Sequence, residues 1–109
     1  MNEQRVYRRV LLEIEALIAD PLEDQWVPIK LLDISRMGIA FSNNTPMDKD
    51  TLCMLRFYLP QNLKRINCIA SIVHSSSIQA TEDFRVGARF VNVNPDDLEL
   101  IKSFIESAS

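Results

Sequence analysis

The sequence predicts a single all-β domain: about six short strands, closing as a barrel or packing as a sandwich, followed by one C-terminal helix. Three observations carry this. Apolar and polar residues alternate with a period of two along several short runs. Clusters of Gly, Pro, Asn, Asp and Ser separate those runs. After Asn94 the apolar period lengthens to that of a helix. With 109 residues there is room for one core and no second.

The elements follow in order. Residues 1–9 are polar and basic and read as a flexible arm ahead of the domain, which occupies 10–109. Between Val10 and Asp20, Leu12, Ile14, Ala16 and Ile18 alternate against Glu13 and Glu15, as in a half-buried strand. Leu11, Ile14 and Ile18 would also share a helical face; the all-β pattern downstream favours the strand, and Pro21 ends it either way. In Gln25–Leu32, Val27, Ile29 and Leu31 take one side and Trp26, Pro28, Lys30 and Leu32 the other. After the turn Asp33–Gly38, Ile39, Ala40 and Phe41 form a short strand ended by Asn43-Asn44-Thr45-Pro46. Cys53, Leu55, Phe57 and Leu59 share the face of a fourth strand, and Ile66, Cys68, Ala70 and Ile72 that of a fifth. Polar residues from Ser75 to Asp83 read as a connection or exposed hairpin, and Val86, Ala88 and Phe90 restore the alternation towards Val93.

The last element is a helix over about 95–107. Asn94 suits the cap, Pro95 the first helical position, and Asp96 and Asp97 the positive end of the helix dipole. Leu98, Ile101 and Ile105, flanked by Leu100 and Phe104, make an apolar stripe able to seal one end of the β domain.

Composition narrows the function. Hydrophobic residues make up 47% and charged residues 25%, with a formal net charge of −3, so no general polyanion-binding surface is indicated. The charge is uneven: Arg5, Arg8 and Arg9 face only Glu3 within the first ten residues, whereas Asp96, Asp97, Glu99 and Glu106 face only Lys102 in the last fifteen. A basic head on an acidic chain suggests a local anion site rather than a nucleic-acid-coating face. No run is long and apolar enough to span a bilayer, and MNEQRVYRR lacks the apolar stretch of a secretory signal. Cys53 and Cys68 lack CxxC spacing and read as buried reduced thiols. The expectation is a cytoplasmic protein that enters no membrane and binds no DNA or RNA.

Two short motifs carry chemistry. The first, RxxxR, consists of Arg5 and Arg9. Guanidinium is permanently charged, presents five donors in a rigid fork and stacks on flat rings, so two of them suit phosphates or the O6/N7 edge of guanine. The second, DxSxxG, is Asp33, Ser35 and Gly38. Asp33 and Ser35 alternate in direction with Ile34, so both can face the same side. A carboxylate accepts from a guanine N1–H and N2–H pair, a hydroxyl bonds base or phosphate, and glycine permits positive φ or close approach of ligand to backbone. Taken alone, each has an ordinary reading, as a solvated basic terminus and as an Asx or Ser turn. Chance produces the first in roughly one chain in four and the second in roughly one in twenty, so their conjunction in this order is what counts.

In that conjunction the sequence resembles the PilZ family, whose signature is RxxxR followed some two dozen residues later by [D/N]xSxxG. Gly87-Ala88-Arg89-Phe90-Val91 is similar to the family's late GxRF strand, and the terminal helix agrees. The resemblance implies a six-stranded antiparallel barrel with a C-terminal α-helix, binding cyclic di-GMP as a monomer or intercalated dimer in bacterial second-messenger signalling, of the kind that governs motility and biofilm formation. Arg5 and Arg9 would engage phosphates and guanines, Asp33 and Ser35 a guanine edge, and Gly38 would let the ligand lie close to the barrel wall. Arg8, Arg36 and Arg89 are possible additional contacts. Many members carry a further arginine just before RxxxR, where this chain has Gln4, a departure that bears on ligand stoichiometry. No cofactor or metal is implied; the partners would be cyclic di-GMP and a downstream effector protein.

An enzyme is not indicated. The only histidine, His74, falls in the polar HSSS stretch and reads as a surface residue without acid or nucleophile partner. No metal-ligand cluster, phosphate loop or nucleophile elbow is present. The leading alternative is a PilZ-like protein–protein adaptor that binds no nucleotide. A single-stranded nucleic-acid barrel would want a basic groove with exposed aromatics, against 7% aromatic content here. A flavin-binding split barrel is a more remote alternative.

Overall fold

The computed structural model describes residues 7–23 and 25–108. Six strands, β1 (Val10–Ala19), β2 (Val27–Ile34), β3 (Gly38–Asn43), β4 (Leu52–Phe57), β5 (Ile66–Ser77) and β6 (Phe84–Val93), precede one helix, α1 (Pro95–Ser107). Every pairing is antiparallel, and the strands close in the order β1-β2-β3-β6-β5-β4. The expected six-stranded barrel with a C-terminal helix is therefore present, and the sandwich is excluded. Closure gives each strand a neighbour on both sides, which limits the exposed edge open to intermolecular pairing.

The interior is the set that alternation predicted: Ala16 and Ile18 of β1, Ile29 and Leu31 of β2, Ile39 and Phe41 of β3, Cys53, Leu55 and Phe57 of β4, Ile66, Cys68, Ala70 and Ile72 of β5, and Val86 and Ala88 of β6. Val10–Asp20, which fitted helix or strand, is a strand because its inward residues complete this core against β2 and β4. Helix α1 begins as the sequence suggests. Asn94 Oδ1 accepts from the Asp96 N–H at 2.8 Å, and Ile101 and Ile105 are buried, with Leu100 and Phe104 packed beside them. Its first turn is tied to the β4–β5 loop by Lys64, whose Nζ lies 2.8 Å from Asp97 Oδ1; that bond holds the Lys64 ammonium above its ordinary range.

Two departures from simple alternation bear on function. First, β5 does not end before the polar stretch. It runs on to Ser77, pairing Ser75, Ser76 and Ser77 with Val86, Arg85 and Phe84. Of the two readings of Ser75–Asp83, the exposed hairpin is the one present, turning over residues 78–83, and His74 lies in its first strand. This tail of β5 pairs with β6 alone, beyond the reach of β4, and its residues are mostly exposed, so no apolar face imposes a period-two signal. Second, the β2–β3 register slips between Leu31 and Asp33, and β1 slips correspondingly between Leu11 and Ile14. Leu31 faces the core opposite Ile14 and Phe41. Asp33, past the extra residue Leu32, pairs with Leu11 and Ala40 on the outer face. Without the bulge, the phase of Ile29 and Leu31 would carry Asp33 into the apolar interior.

Candidate functional site

The outer faces of β2, β3, β6 and β5 meet in one patch. Register places Asp33 beside Ala40, Ala40 beside Gly87, Gly38 beside Arg89, and Gly87 beside His74. Arg9, just ahead of β1, reaches over this patch, and a cleft of about 220 Å³ opens there, where Arg9, Ser35, Gly38, His74, Gly87 and Arg89 share the lining with apolar side chains such as Met37 and Val73.

Asp33 is the electrostatic centre. It is 1% exposed, and a carboxylate that deep is costly to bury without cationic or hydrogen-bonding partners. It has two. Arg9 Nη1 lies 2.7 Å from Oδ1, and Arg85 Nη2 is ion-paired to Oδ2. Both guanidiniums keep large exposed surface, 55% and 43% of their side chains, so they form the lid over a carboxylate that is otherwise inside the wall. Arg9 and Asp33, from the two separate motifs, are thus in direct contact.

Ser35 and Gly38 shape the turn between β2 and β3. Ser35 Oγ accepts from the N–H groups of Met37 at 3.1 Å and Gly38 at 3.3 Å, and the Ser35 N–H donates to the Gly38 carbonyl at 2.9 Å. Both side-chain bonds use Oγ as acceptor; its own O–H is a donor of the kind a phosphate oxygen takes. Gly38 does not have positive φ. What requires glycine is β6: a Cβ there would come within 3.0 Å of the Ala88 carbonyl carbon and of Arg89 Cα, and nearer still to the Ala88 oxygen. Of the two reasons that the sequence suggests for this glycine, positive φ is absent, and the close approach that requires glycine is by the protein's own β6 backbone rather than by a ligand.

The remaining candidates divide. Arg89 is exposed and lines the cleft. Arg36 sits at the turn with its guanidinium 5.7 Å from the centre of the Tyr7 ring. Arg8 points elsewhere: its Nη2 donates to the Ile105 carbonyl at 2.8 Å, capping the C-terminal end of α1, whose last turn carries no basic residue of its own. Arg5 lies outside the described residues, as does most of the proposed flexible arm. Sequence reasoning missed two residues. Arg85 was invisible because its partner is 52 positions away, on a strand separated from its own by β3. His74, read from the sequence as a surface residue without a partner, is an exposed residue of β5 that lines the cleft.

Among the described residues no group of three or more His, Cys, Asp or Glu side chains is arranged to hold a metal, and no helix is long and apolar enough to cross a membrane. Cys53 and Cys68 are free and buried in the core on adjacent strands. Burial pushes their thiols up to about 11 and about 12, away from reactive thiolate.

The family model for the PilZ domain matches residues 3–107. A comparison with curated proteins finds no match. Among solved structures, the chain is similar to Bacillus subtilis MotI/DgrA, an inhibitor of motility, with a TM-score of 0.84 at 14% identity over 97% of this chain and 51% of that one. It is similar to the PilZ domain of Escherichia coli YcgR with c-di-GMP, at TM-score 0.73 and 16% identity over 97% and 92% of the two chains. It is also similar to the K. pneumonia MrkH–c-di-GMP complex, at 0.75 and 17% over 97% and 52%. The chain therefore spans about half the length of MotI and MrkH and nearly all of the YcgR domain.

Proposed function

The chain belongs to the PilZ family, and from that premise we propose that it is a receptor domain for cyclic di-GMP, held between the N-terminal RxxxR segment and the Asp33–Gly38 strand-turn. The observation that carries the reading is the contact of Arg9 with Asp33 on the rim of a cleft that also holds Ser35, Gly38 and Arg89. It joins a permanent cation to a buried acceptor, as a ligand with anionic phosphodiesters and guanine donor edges requires. The structures of YcgR and MrkH with c-di-GMP lend support from the same fold.

The chemistry is an exchange of partners. Arg9 now occupies Asp33 Oδ1, the acceptor that a guanine N1–H/N2–H edge needs. Cyclic di-GMP draws Arg9 onto phosphate or onto the O6/N7 edge and puts its own donors on the freed oxygen. Arg5 supplies the second fork, Ser35 O–H and Arg89 add contacts at the cleft, and Arg8 and Arg36 act through arm and turn. Each charge-assisted pair contributes about 1.5–3 kcal/mol. Because binding reorganises the segment ahead of β1, the domain serves as an adaptor that presents a changed surface to an effector protein.

A second reading has one observation in its favour. Ser35 and Gly38 already have complete structural roles in the turn and against β6, so the second motif is compatible with a PilZ adaptor that binds no nucleotide. Calorimetric titration separates the two readings. Cyclic di-GMP gives a saturable isotherm, while GTP, FMN and a single-stranded oligonucleotide give none. The oligonucleotide arm has added point because a solved MrkH structure describes it as a c-di-GMP-dependent transcription regulatory factor. No heat with cyclic di-GMP at about 100 µM, a binding energy near 5.5 kcal/mol, would leave the adaptor reading.

A further inference from the structure

We propose that Arg85 is a positioning residue for ligand recognition: a fixed counter-ion that holds Asp33 Oδ2 so that Arg9 can leave Oδ1 and be replaced by the ligand. The inference rests on the receptor reading above and deepens it.

The two arginines on Asp33 differ in what carries them. Arg85 lies within β6, register-paired with Ser42 of β3 on one side and Ser76 of β5 on the other, so its backbone is held by two ladders. Arg9 precedes β1 and has no strand partner. The oxygens are also divided, Oδ2 to Arg85 and Oδ1 to Arg9. If Arg9 were the sole partner, its departure would leave a charge that is 1% exposed without compensation, and the ligand would have to overcome that penalty. With Arg85 in place the carboxylate stays paired and oriented throughout, and only one oxygen changes hands. Arg85 does not line the cleft, whereas Arg9 and Arg89 do. Asp33 likewise lies just beyond that lining, and Arg85 reaches the site through the carboxylate oxygen it holds.

The test is a double-mutant cycle read by calorimetry with cyclic di-GMP, using the wild type, Arg85→Gln, Asp33→Asn and the double variant, with Arg85→Lys as the conservative control. Ligand-free melting curves show that each variant is folded. Arg85→Gln is expected to weaken binding by roughly tenfold or more in the Asp33 background and by less than about threefold in the Asp33→Asn background. Arg85→Lys, which keeps the charge and loses the fork, falls between wild type and Arg85→Gln. Equal losses in both backgrounds would mean that Arg85 touches ligand directly, and an Arg85→Gln affinity equal to wild type would mean that it does nothing for the site; either overturns the proposal. A ligand-free arm stands apart from the receptor reading: side-chain Nε relaxation of ¹⁵N-arginine-labelled wild type should show Arg85 rigid and Arg9 mobile. If wild type gives no isotherm, the receptor reading fails. The anchor assignment is then decided by this measurement, and equal rigidity or the reverse order overturns it.

Discussion

Gly38→Ala separates two explanations of the motif glycine. If the glycine exists to admit a ligand, alanine should leave the ligand-free protein intact. The structure says otherwise. The new Cβ would sit 3.0 Å from the Ala88 carbonyl carbon and Arg89 Cα and closer to the Ala88 oxygen, where ordinary contact begins at 3.4 Å. These are backbone atoms of β6, so relief requires β3 and β6 to part by about an ångström, an overpacking cost of about 1–3 kcal/mol. Parting strains the bond from the Phe90 N–H to the Met37 carbonyl, now 2.8 Å, and the neighbouring ladder; one or two weakened bonds add about 0.5–1.5 kcal/mol each. The expected loss is about 2–4 kcal/mol. For a domain of this size that lowers the melting temperature by roughly 10–20 °C. Calorimetry or circular dichroism without ligand measures it. Gly87→Ala is the control, because its Cβ would meet only the His74 carbonyl oxygen at 4.0 Å, although Gly87 also lines the cleft. It should melt at or slightly above wild type, by the gain from stiffening the unfolded chain. A Gly38→Ala melting point within about 3 °C of wild type would refute the backbone-approach account.

Other outcomes follow from the same contacts. Arg9→Ala should weaken cyclic di-GMP binding by roughly ten- to a few-hundred-fold in calorimetry, towards the lower end because the substitution also frees Asp33 Oδ1; unchanged affinity removes Arg9 from the site. Arg8→Ala, which loses the bond to the Ile105 carbonyl, should speed amide exchange in the last turn of α1 and lower the melting temperature by a few degrees, about 0.3–1 kcal/mol for a cation at a helix C-terminus. The thiols supply a pH dependence. Both are raised in the folded state, from 9.0 to about 11 for Cys53 and about 12 for Cys68, through burial. Their stabilising contribution is complete below pH 9 and is lost as pH rises through 11 and 12, because only the unfolded chain ionises first. Denaturant midpoints measured from pH 8 to 10.5 should fall more steeply for wild type than for a Cys53→Ala/Cys68→Ala variant. Equal slopes would show that the thiols do not contribute.

Much of the barrel was legible because strands such as β1 and β4 are buried on one face only. Leu12, Ile14, Ala16 and Ile18, or Cys53, Leu55 and Phe57, alternate because the interior demands it. The legibility ends where that demand ends. The tail of β5 around His74 and Ser75 is mostly exposed and left no periodic trace. The two motifs pointed to neighbouring groups, and Arg9 and Asp33 do meet, but motif spacing cannot reveal that Arg85 arrives from β6 to share the same carboxylate. Nor does the sequence around Gly38 show that Ala88 is the group that crowds it, since that depends on how closely β3 and β6 approach. Side chains paired within a strand or a turn are readable; those paired across the sheet need the register.

The additional residue in β2 has a consequence for how this domain can change. By turning Asp33 outward while Leu31 and Ile34 still plug the interior, Leu32 uncouples recognition from folding. A lineage can trade the acid at position 33, or the cations that cover it, without repacking a single interior side chain. Shortening β2 by that one residue would undo the arrangement at once, driving a carboxylate among Ile39 and Phe41 and leaving two arginines outside with nothing to hold.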